Sequence, residues 1–306
     1  MLAPAAQDTD QADIVPRSHL RALADAGLFD AAGHRTVYEI LAGACGATFF
    51  VWVQHHAPVR LLVASANAAL SDQWLPRLRS GAVLGGVAFA HLRRPGPPPV
   101  RARRVAGGYA LEGEAPWVTS WGLADVFAVA ARCDDRVVFV AVPADAPGLV
   151  PSPPLRLTVM QATSTVRLGF DGLTVSDADV IVELPFAQWQ TDDAVATAKP
   201  NPAAFGVAAT CTRLLADLDP ETAAALETER LECRRRSYGG EPDQVPLRAW
   251  SLELAVRCAL ALVAATGGRS MERTHPAQRL LREAVFYAIQ AQTGALRAAT
   301  LDRLTR

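Results

Sequence analysis

Residues 100–142 read VRARRVAGGYALEGEAPWVTSWGLADVFAVAARCDDRVVFVAV. The first part, 100–112, alternates in character around Gly107-Gly108, the pattern of a hairpin turn. Two β-branched runs, 126–131 and 137–142, are split by Asp134-Asp135-Arg136, which predicts a second hairpin. Further on, 165–170 and 173–175 flank Asp171-Gly172, a third turn signal. Prolines cluster at 95–99 and 151–154 and mark loops. Short strands at such spacing over 83–185 predict an antiparallel sandwich or barrel.

The zones on either side carry helical periodicity. Within 13–80, Leu20, Leu23, Ala24 and Leu28 recur at helical spacing, and Gly27 or Gly33 can end the turn. Residues 37–53 predict one long apolar helix whose small residues (Ala42, Gly43, Ala44, Gly46, Ala47) permit close packing, with His55-His56 at its end. Residues 72–78 form a short third element with Ser71 as its N-cap. From 202 the chain is helical again. Asp219 suits an N-cap, Pro220 the first helical position and Glu221 the first turn; Tyr238-Gly239-Gly240 ends that helix. Helices over 248–265, stopped by Gly267-Gly268, and over 276–304 complete an expected four-helix bundle. The fold class is therefore α+β: an N-terminal helical domain (1–82), a central antiparallel β-domain (83–185) and a C-terminal four-helix bundle (186–306).

Composition excludes several classes of protein. The 306 residues carry a formal net charge of −1, half are hydrophobic and 20% are charged. That balance suits a folded chain with a real core, and it lacks the basic excess expected of a nucleic-acid binder. Lys199 is the only lysine, so every other basic residue of the 30 is arginine; a coding bias explains this skew, and selection of arginine for phosphate or carboxylate contacts is the functional alternative. Cys45, Cys133, Cys211, Cys233 and Cys258 are odd in number and scattered, which argues against a disulfide framework or a metal cluster and for reduced thiols. The acidic segment 1–13 lacks the basic start of a signal peptide. The apolar run 252–263 is interrupted by Glu253 and Arg257, so no membrane span is expected and a cytoplasmic location is.

The α–β–α order, together with particular words, resembles the acyl-CoA dehydrogenase superfamily of flavoproteins, as a short and divergent member. The segment 107–131 is similar to the family's stretch ending in Trp-Ile-Thr. In that family the Trp packs on the flavin ring and the Thr lies near its N5. Trp117-Val118-Thr119 stands at those positions, and Ala124-Asp125 matches the Ala-Asp that follows. Residues 163–181 look like the closing strands of the family's β-domain. Residues 265–284 resemble its Gly-Gly … Pro-x-x-Arg-x-x-Arg-Asp-Ala block, in which the Gly-Gly approaches the adenosine diphosphate half of a neighbouring subunit's FAD; Gly267-Gly268 occupies that place. The physics suits these roles. A flat ring needs an aromatic wall, its reactive nitrogen a donor, and a pyrophosphate close backbone approach without Cβ atoms. The resemblance implies FAD, with FMN as the alternative form, in a homodimer or homotetramer.

Departures from the pattern bear on function. Where the family has Thr-Glu and then Gly-Ser, this chain has Ala90-His91 and then Arg93-Arg94-Pro95-Gly96. Backbone donors at Ala88 and Ala90 could still serve the flavin, but a hydroxyl contact is lost. The family's proton-abstracting Glu, within a Tyr-Glu-Gly-Thr word, aligns with Ala291, which cannot accept a proton. Asp217 and Asp219 stand on the region where some members carry the base, although Asp219 reads as a helix cap. Arg235-Arg236-Ser237-Tyr238-Gly239 echoes the family's Arg-x-x-Phe-Gly word but reads equally as a basic helix C-terminus. His91 stands closest to the expected flavin mouth, His275 reads as a cap, and His55-His56 does not suit a metal.

Three functions follow from the resemblance. One is a flavin-dependent oxidoreductase that dehydrogenates an acyl thioester at its α and β carbons and passes electrons to an electron-transfer protein. Another is a flavin monooxygenase supplied by a flavin reductase, which needs no carboxylate at position 291. The last is a non-catalytic partner subunit of a heteromer.

Overall fold

The computed structural model describes residues 1–31 and 33–305. Five helices open the chain: α1 (Leu2–Gln11), α2 (Arg17–Asp25), α3 (Arg35–Ala44), α4 (Gly46–Val63) and α5 (Ala68–Arg79). Eight strands follow: β1 (Gly85–Ala88), β2 (Val100–Val105), β3 (Gly108–Val118), β4 (Val126–Cys133), β5 (Arg136–Pro143), β6 (Leu149–Pro151), β7 (Val166–Ser176) and β8 (Val180–Pro185). Six helices close it: α6 (Phe186–Ala198), α7 (Pro202–Leu215), α8 (Pro220–Tyr238), α9 (Gln244–Thr266), α10 (Pro276–Ile289) and α11 (Gly294–Leu304). The fold is α+β, with helices before and after a central sheet.

The sheet runs β6-β7-β3-β2-β4-β5-β8, with β1 paired to β4. The pairs are antiparallel except β1–β4 and a single β2–β4 contact at Arg101 and Arg132, which are parallel. Both predicted hairpins form, β2–β3 and β4–β5. The central β4–β5 pair is buried on both faces, which is why its sequence reads as an unbroken apolar run. Val126, Ala128 and Ala130 with Val137, Phe139 and Ala141 pack against Val59, Leu62, Trp74 and Leu78 of α4 and α5. The alternate residues Phe127, Val129 and Ala131 with Val138, Val140 and Val142 face Leu111, Leu168 and Phe170 across the folded sheet. A second large core joins the two helical ends, with Phe49 and Trp52 from α4 meeting Phe205, Leu252 and Tyr287.

Tertiary contacts override several local expectations. The helix expected over 37–53 breaks at Cys45, whose backbone is extended (φ −158°, ψ 105°). The break frees the Gly46 N–H, which donates to Glu283 Oε1 at 3.1 Å. A Cβ on Gly46 would sit 2.6 Å from that carboxyl carbon, and one on Gly43 would meet Gly206 O at 2.5 Å; glycine is needed at both close approaches. Helix α4 then runs through His55 and His56 to Val63 rather than ending there, and both rings are buried. The third element begins earlier than expected. Asn67, not Ser71, caps α5 by accepting from Leu70 N, while the Ser71 hydroxyl donates to Leu62 O at 2.8 Å. Residues 165–175, expected as two strands, are one strand β7 that bends at Gly172 (φ 66°). The helix expected over 276–304 splits at Ala291 (φ 52°), where Thr293 caps α11. The C-terminal part thus contains six helices among the described residues, not four.

One helical stretch, Gln244–Met271, is long and apolar enough by length and composition to cross a membrane. In the fold its α9 portion packs among α7, α8, α10 and α11. The ion pair Arg279–Glu283 lies inside, with side chains 6% and 4% exposed and an Nη1–Oε1 distance of 2.8 Å. Burial pushes the Glu283 carboxyl up, against the opposing pull of Arg279.

Two predictions follow from these buried groups. Glu283→Ala strands a buried guanidinium and an N–H, and should lower the unfolding free energy by about 3–5 kcal/mol in a urea titration; a loss below about 1 kcal/mol would contradict this account. Burial lowers His55 to about 3, and His56 and His91 to about 4. Below the unfolded-state value of about 6.5 the unfolded chain binds these protons first, so stability held above that pH is lost as pH falls toward 4. The limiting slope is about 1.4 kcal/mol per pH unit for each histidine. His56→Leu should flatten the decline measured by denaturation between pH 7 and 5.

Candidate functional site

Helix α6 follows β8 without a loop and carries a single lining stripe. Phe186, Trp189, Gln190, Asp193 and Ala194 recur at helical spacing and face a cavity of about 540 Å³. The opposite walls are the 3-10 turn Ala90–Arg93, the proline loop after it, Arg132 at the end of β4, and Thr293-Gly294 at the start of α11. The turn begins where the chain leaves the sheet after Ala88.

The cavity mixes an aromatic wall with cations. Phe186 and Trp189 stack at 5.6 Å with an interplanar angle of 11°, and the Arg132 guanidinium lies 3.6 Å from the Phe186 ring centre. Arg93 holds Asp193 through two hydrogen bonds, Nε to Oδ2 at 2.8 Å and Nη2 to Oδ1 at 2.7 Å. Arg94 is exposed. Thr293 Oγ1 accepts from Leu296 N, and the first turn of α11 turns its positive dipole end toward the cavity. His91 is 1% exposed, and its Nε2 meets Ala130 O at 3.1 Å. A carbonyl there assigns the proton to Nε2 and leaves Nδ1 an acceptor, which has no partner. With its pKa lowered to about 4 by burial, His91 is neutral at pH 7 and offers a lone pair, not a proton.

One buried guanidinium ties two of these walls together. Arg248 of α9, 5% exposed, donates to the carbonyls of Thr197 and Lys199 at the end of α6 and to Gln290 O, 3.0 Å away, at the α10–α11 junction. Burial lowers its pKa to about 10, which leaves it cationic.

A second constellation sits where β3 ends. Trp117 is 52% exposed and has φ 61°; Ser120 has φ 69°. The facing loop adds Met160 (φ 60°) and Ser164 (φ 48°). The loops are joined by Ser120 N to Thr163 O at 2.8 Å and Trp121 N to Ser164 O at 3.2 Å. Behind them lies a hydroxyl cluster. Thr163 and Thr165 Oγ1 atoms are 2.9 Å apart, Thr119 reaches Thr165 only at 3.4 Å, and the buried Ser120 Oγ has no partner. Counting Ala291, five of the six non-glycine residues with positive φ among the described residues lie in these loops or at the α10–α11 junction; the sixth, Asp134, turns a hairpin. Such backbone is costly and concentrates where geometry is dictated by more than packing.

The structure therefore distributes the sequence candidates. His91 and the segment after Ala291 share the α6 cavity. Trp117, Val118 and Thr119 form the second constellation. Ala88 is buried in β1, Ala90 is exposed beside the cavity, and Gly267-Gly268 opens the turn after α9 with nothing near either Cα–H. Asp217 is exposed between α7 and α8. Asp219 caps α8, and its hydrogen bonds from Thr222 hold its carboxyl below the usual range. Neither acid lines the cavity. Arg235 and Arg236 pair with Glu232 and Glu241, and the Tyr238 hydroxyl donates to Glu39. His275 caps α10 by accepting from Ala277 N. Asp193 and Arg248 were missed. The spacing of Phe186, Trp189 and Asp193 carries the signal of a lining helix, but within the 186–306 bundle the sequence reading places helices only from 202.

No family profile matches the chain. Benzylmalonyl-CoA dehydrogenase of Aromatoleum aromaticum is 26% identical over 196 residues, which are 58% of this chain and 52% of that protein; the match spans about half the relative's length. Butyryl-CoA dehydrogenase of Megasphaera elsdenii superposes with a TM-score of 0.81 at 16% identity, covering 100% of this chain and 94% of that one. A glutaryl-CoA dehydrogenase of Mycobacterium smegmatis in complex with FADH2 gives 0.78 at 17%, over 99% and 90%.

Removal of Arg248 should loosen the seam that it closes. Arg248→Met leaves three carbonyls short of donors and should cost about 3 kcal/mol in denaturation, with new proteolytic cleavage at 198–201 or 289–294. An unchanged digestion pattern would contradict the assignment.

Proposed function

This chain has the acyl-CoA dehydrogenase fold, and we propose that it is a flavin-dependent oxidoreductase acting on an acyl thioester. The observation that carries the reading is the strained, half-exposed Trp117 with its neighbours Thr119 and Ser120. Positive φ at four residues of two facing loops leaves the indole half exposed, where a flat ring can lie on it. The donors suit a flavin dinucleotide. The Thr119 hydroxyl makes only one long contact, to Thr165, so its hydrogen-bonding capacity is left open beside the indole, and Ser120 Oγ is buried behind it without a partner. Arg94 and the α11 N-terminus suit phosphates. When bound, flavin supplies a two-electron acceptor for hydride.

The chain's own residues do the rest. Phe186 and Trp189 give the cavity an apolar wall for the acyl group. Arg248 holds that wall and the 290–294 junction in register. The neutral His91 lines the cavity and keeps an unpaired Nδ1 acceptor beneath its wall. Leu231, Leu260 and Leu301, each about half exposed on α8, α9 and α11, leave apolar surface for a second copy.

A second reading rests on Ala291. With no carboxylate there, reduced flavin could meet oxygen instead, in a monooxygenase. One experiment separates the readings. The purified protein, reconstituted with FAD, should retain near-stoichiometric flavin and be bleached anaerobically by acyl-CoAs. Trp117→Ala should weaken flavin retention at least tenfold. Retained flavin without bleaching, but with oxygen consumption when a flavin reductase is added, favours the monooxygenase. A chain that keeps no flavin sinks both.

A further inference from the structure

We propose that the α6 cavity is a binding site for a flat aromatic molecule that carries a negative charge, an arenecarboxylate in its simplest form. The inference concerns binding alone, needs no cofactor and goes beyond the thioester reading. The flavin candidates lie elsewhere in the sheet. Arg101 of β2 pairs with both Arg132 of β4 and Glu112 of β3, and Trp117 stands further along β3, roughly 15 Å from that level.

The charge of the cavity is unbalanced. Three guanidiniums line it, those of Arg93, Arg94 and Arg132, against the single carboxylate of Asp193. That carboxylate is taken up by the Arg93 fork, between side chains only 21% and 13% exposed. Arg94 is exposed and forms no ion pair among the described residues. Arg132 Nη2 donates to the carbonyl of Asp134 at 2.8 Å, and its Nε is buried without a partner. Arg248, cationic and buried behind the cavity, stands close enough to Arg93 and Asp193 to feel both charges. Thr293 and Gly294 add the positive end of α11. His91 is neutral and offsets nothing. Beside half-buried walls, a counter-charge is worth more than in open water.

The shape selects a ring. Phe186 and Trp189 lie nearly parallel, 5.6 Å apart at 11°, and Arg132 covers Phe186 at 3.6 Å. Both rings are half-buried, so the wall keeps accessible aromatic surface. Pro98 and Pro99, apolar and conformationally fixed, line the facing loop. The volume of about 540 Å³ suits one molecule of two fused rings with its charged group. A ring can lie against the aromatic wall while its carboxylate reaches the planar fork of Arg94. A plain acyl chain uses the wall and leaves the cations unanswered. A bare phosphate uses the cations and leaves the wall empty.

Calorimetric titration of the purified full chain, with no flavin or thioester present, reads this site directly. The probe is 2-naphthoate, which should bind with a Kd on the order of 0.1 mM at low salt. Hexanoate, with the charge but no ring, and 2-naphthalenemethanol, with the ring but no charge, should each bind at least about tenfold more weakly. Because Arg94 is exposed and unpaired, its loss should not disturb folding. Arg94→Met should weaken naphthoate at least about fivefold and leave the alcohol unchanged. Trp189→Leu, which keeps apolar bulk, should weaken both, with circular dichroism as the check on folding. Added salt should weaken naphthoate and not the alcohol. A naphthoate Kd above about 5 mM overturns the proposal. So does equal affinity for hexanoate or the alcohol, or an unchanged naphthoate affinity in either folded variant. Such a failure leaves the thioester reading standing, because flavin retention and bleaching decide that one.

Discussion

The Glu283 carboxylate holds the helical core together. It accepts from Arg279 Nη1 and from the Gly46 N–H, while Arg279 Nε donates to Gln7 at 2.6 Å. One buried cluster thus joins α10, the α3–α4 break and α1. A buried ion pair is stable only when its remaining hydrogen-bonding capacity is used. That requirement explains why the helix breaks at Cys45, which still bonds Leu41 O and Phe49 N as the cap of both helices, so that the Gly46 N–H is free for the carboxylate. It also explains why no side chain fits at Gly46. The neighbouring pair Arg282–Asp10, 2.5 Å apart, adds a second tie between the same ends of the chain.

The rest of the architecture is arranged around that knot. With the N-terminal and C-terminal helices sharing one core, α4 is left to cover one face of β4–β5. The sheet's other face closes on itself through β3 and β7. Helix α6, leaving β8 directly, then lies along the sheet's flank, and Arg248 fastens its end to the α10–α11 junction. The cavity between them is therefore a product of three elements remote in sequence, kept in register by one guanidinium.

Much of the architecture was legible locally. The β2–β3 and β4–β5 hairpins, the Asp219 cap and the glycine stop after α9 are properties of a few adjacent residues, and they form as read. The lapses share a cause. Asn67 displaced Ser71 as cap because Ser71 was needed against α4. The helices over 37–53 and 276–304 broke because Glu283 and Arg248, far away in the chain, required backbone groups there. Of the candidate-site residues, Trp117-Val118-Thr119 and His91 are singled out by sequence words, whereas Asp193 is not, since nothing in its own neighbourhood marks it as lining a cavity with Thr293-Gly294.

By itself, the sequence determined the order of helices and strands, the hairpin turns, the caps and the words that resemble the acyl-CoA dehydrogenases. Periodicity and turn chemistry are short-range, and they act before the chain has folded. Only the tertiary structure decided where helices break, which histidines are buried and neutral, and which carboxylate faces the cavity. Those outcomes depend on desolvation and on hydrogen bonds between distant residues, and neither exists until the segments meet.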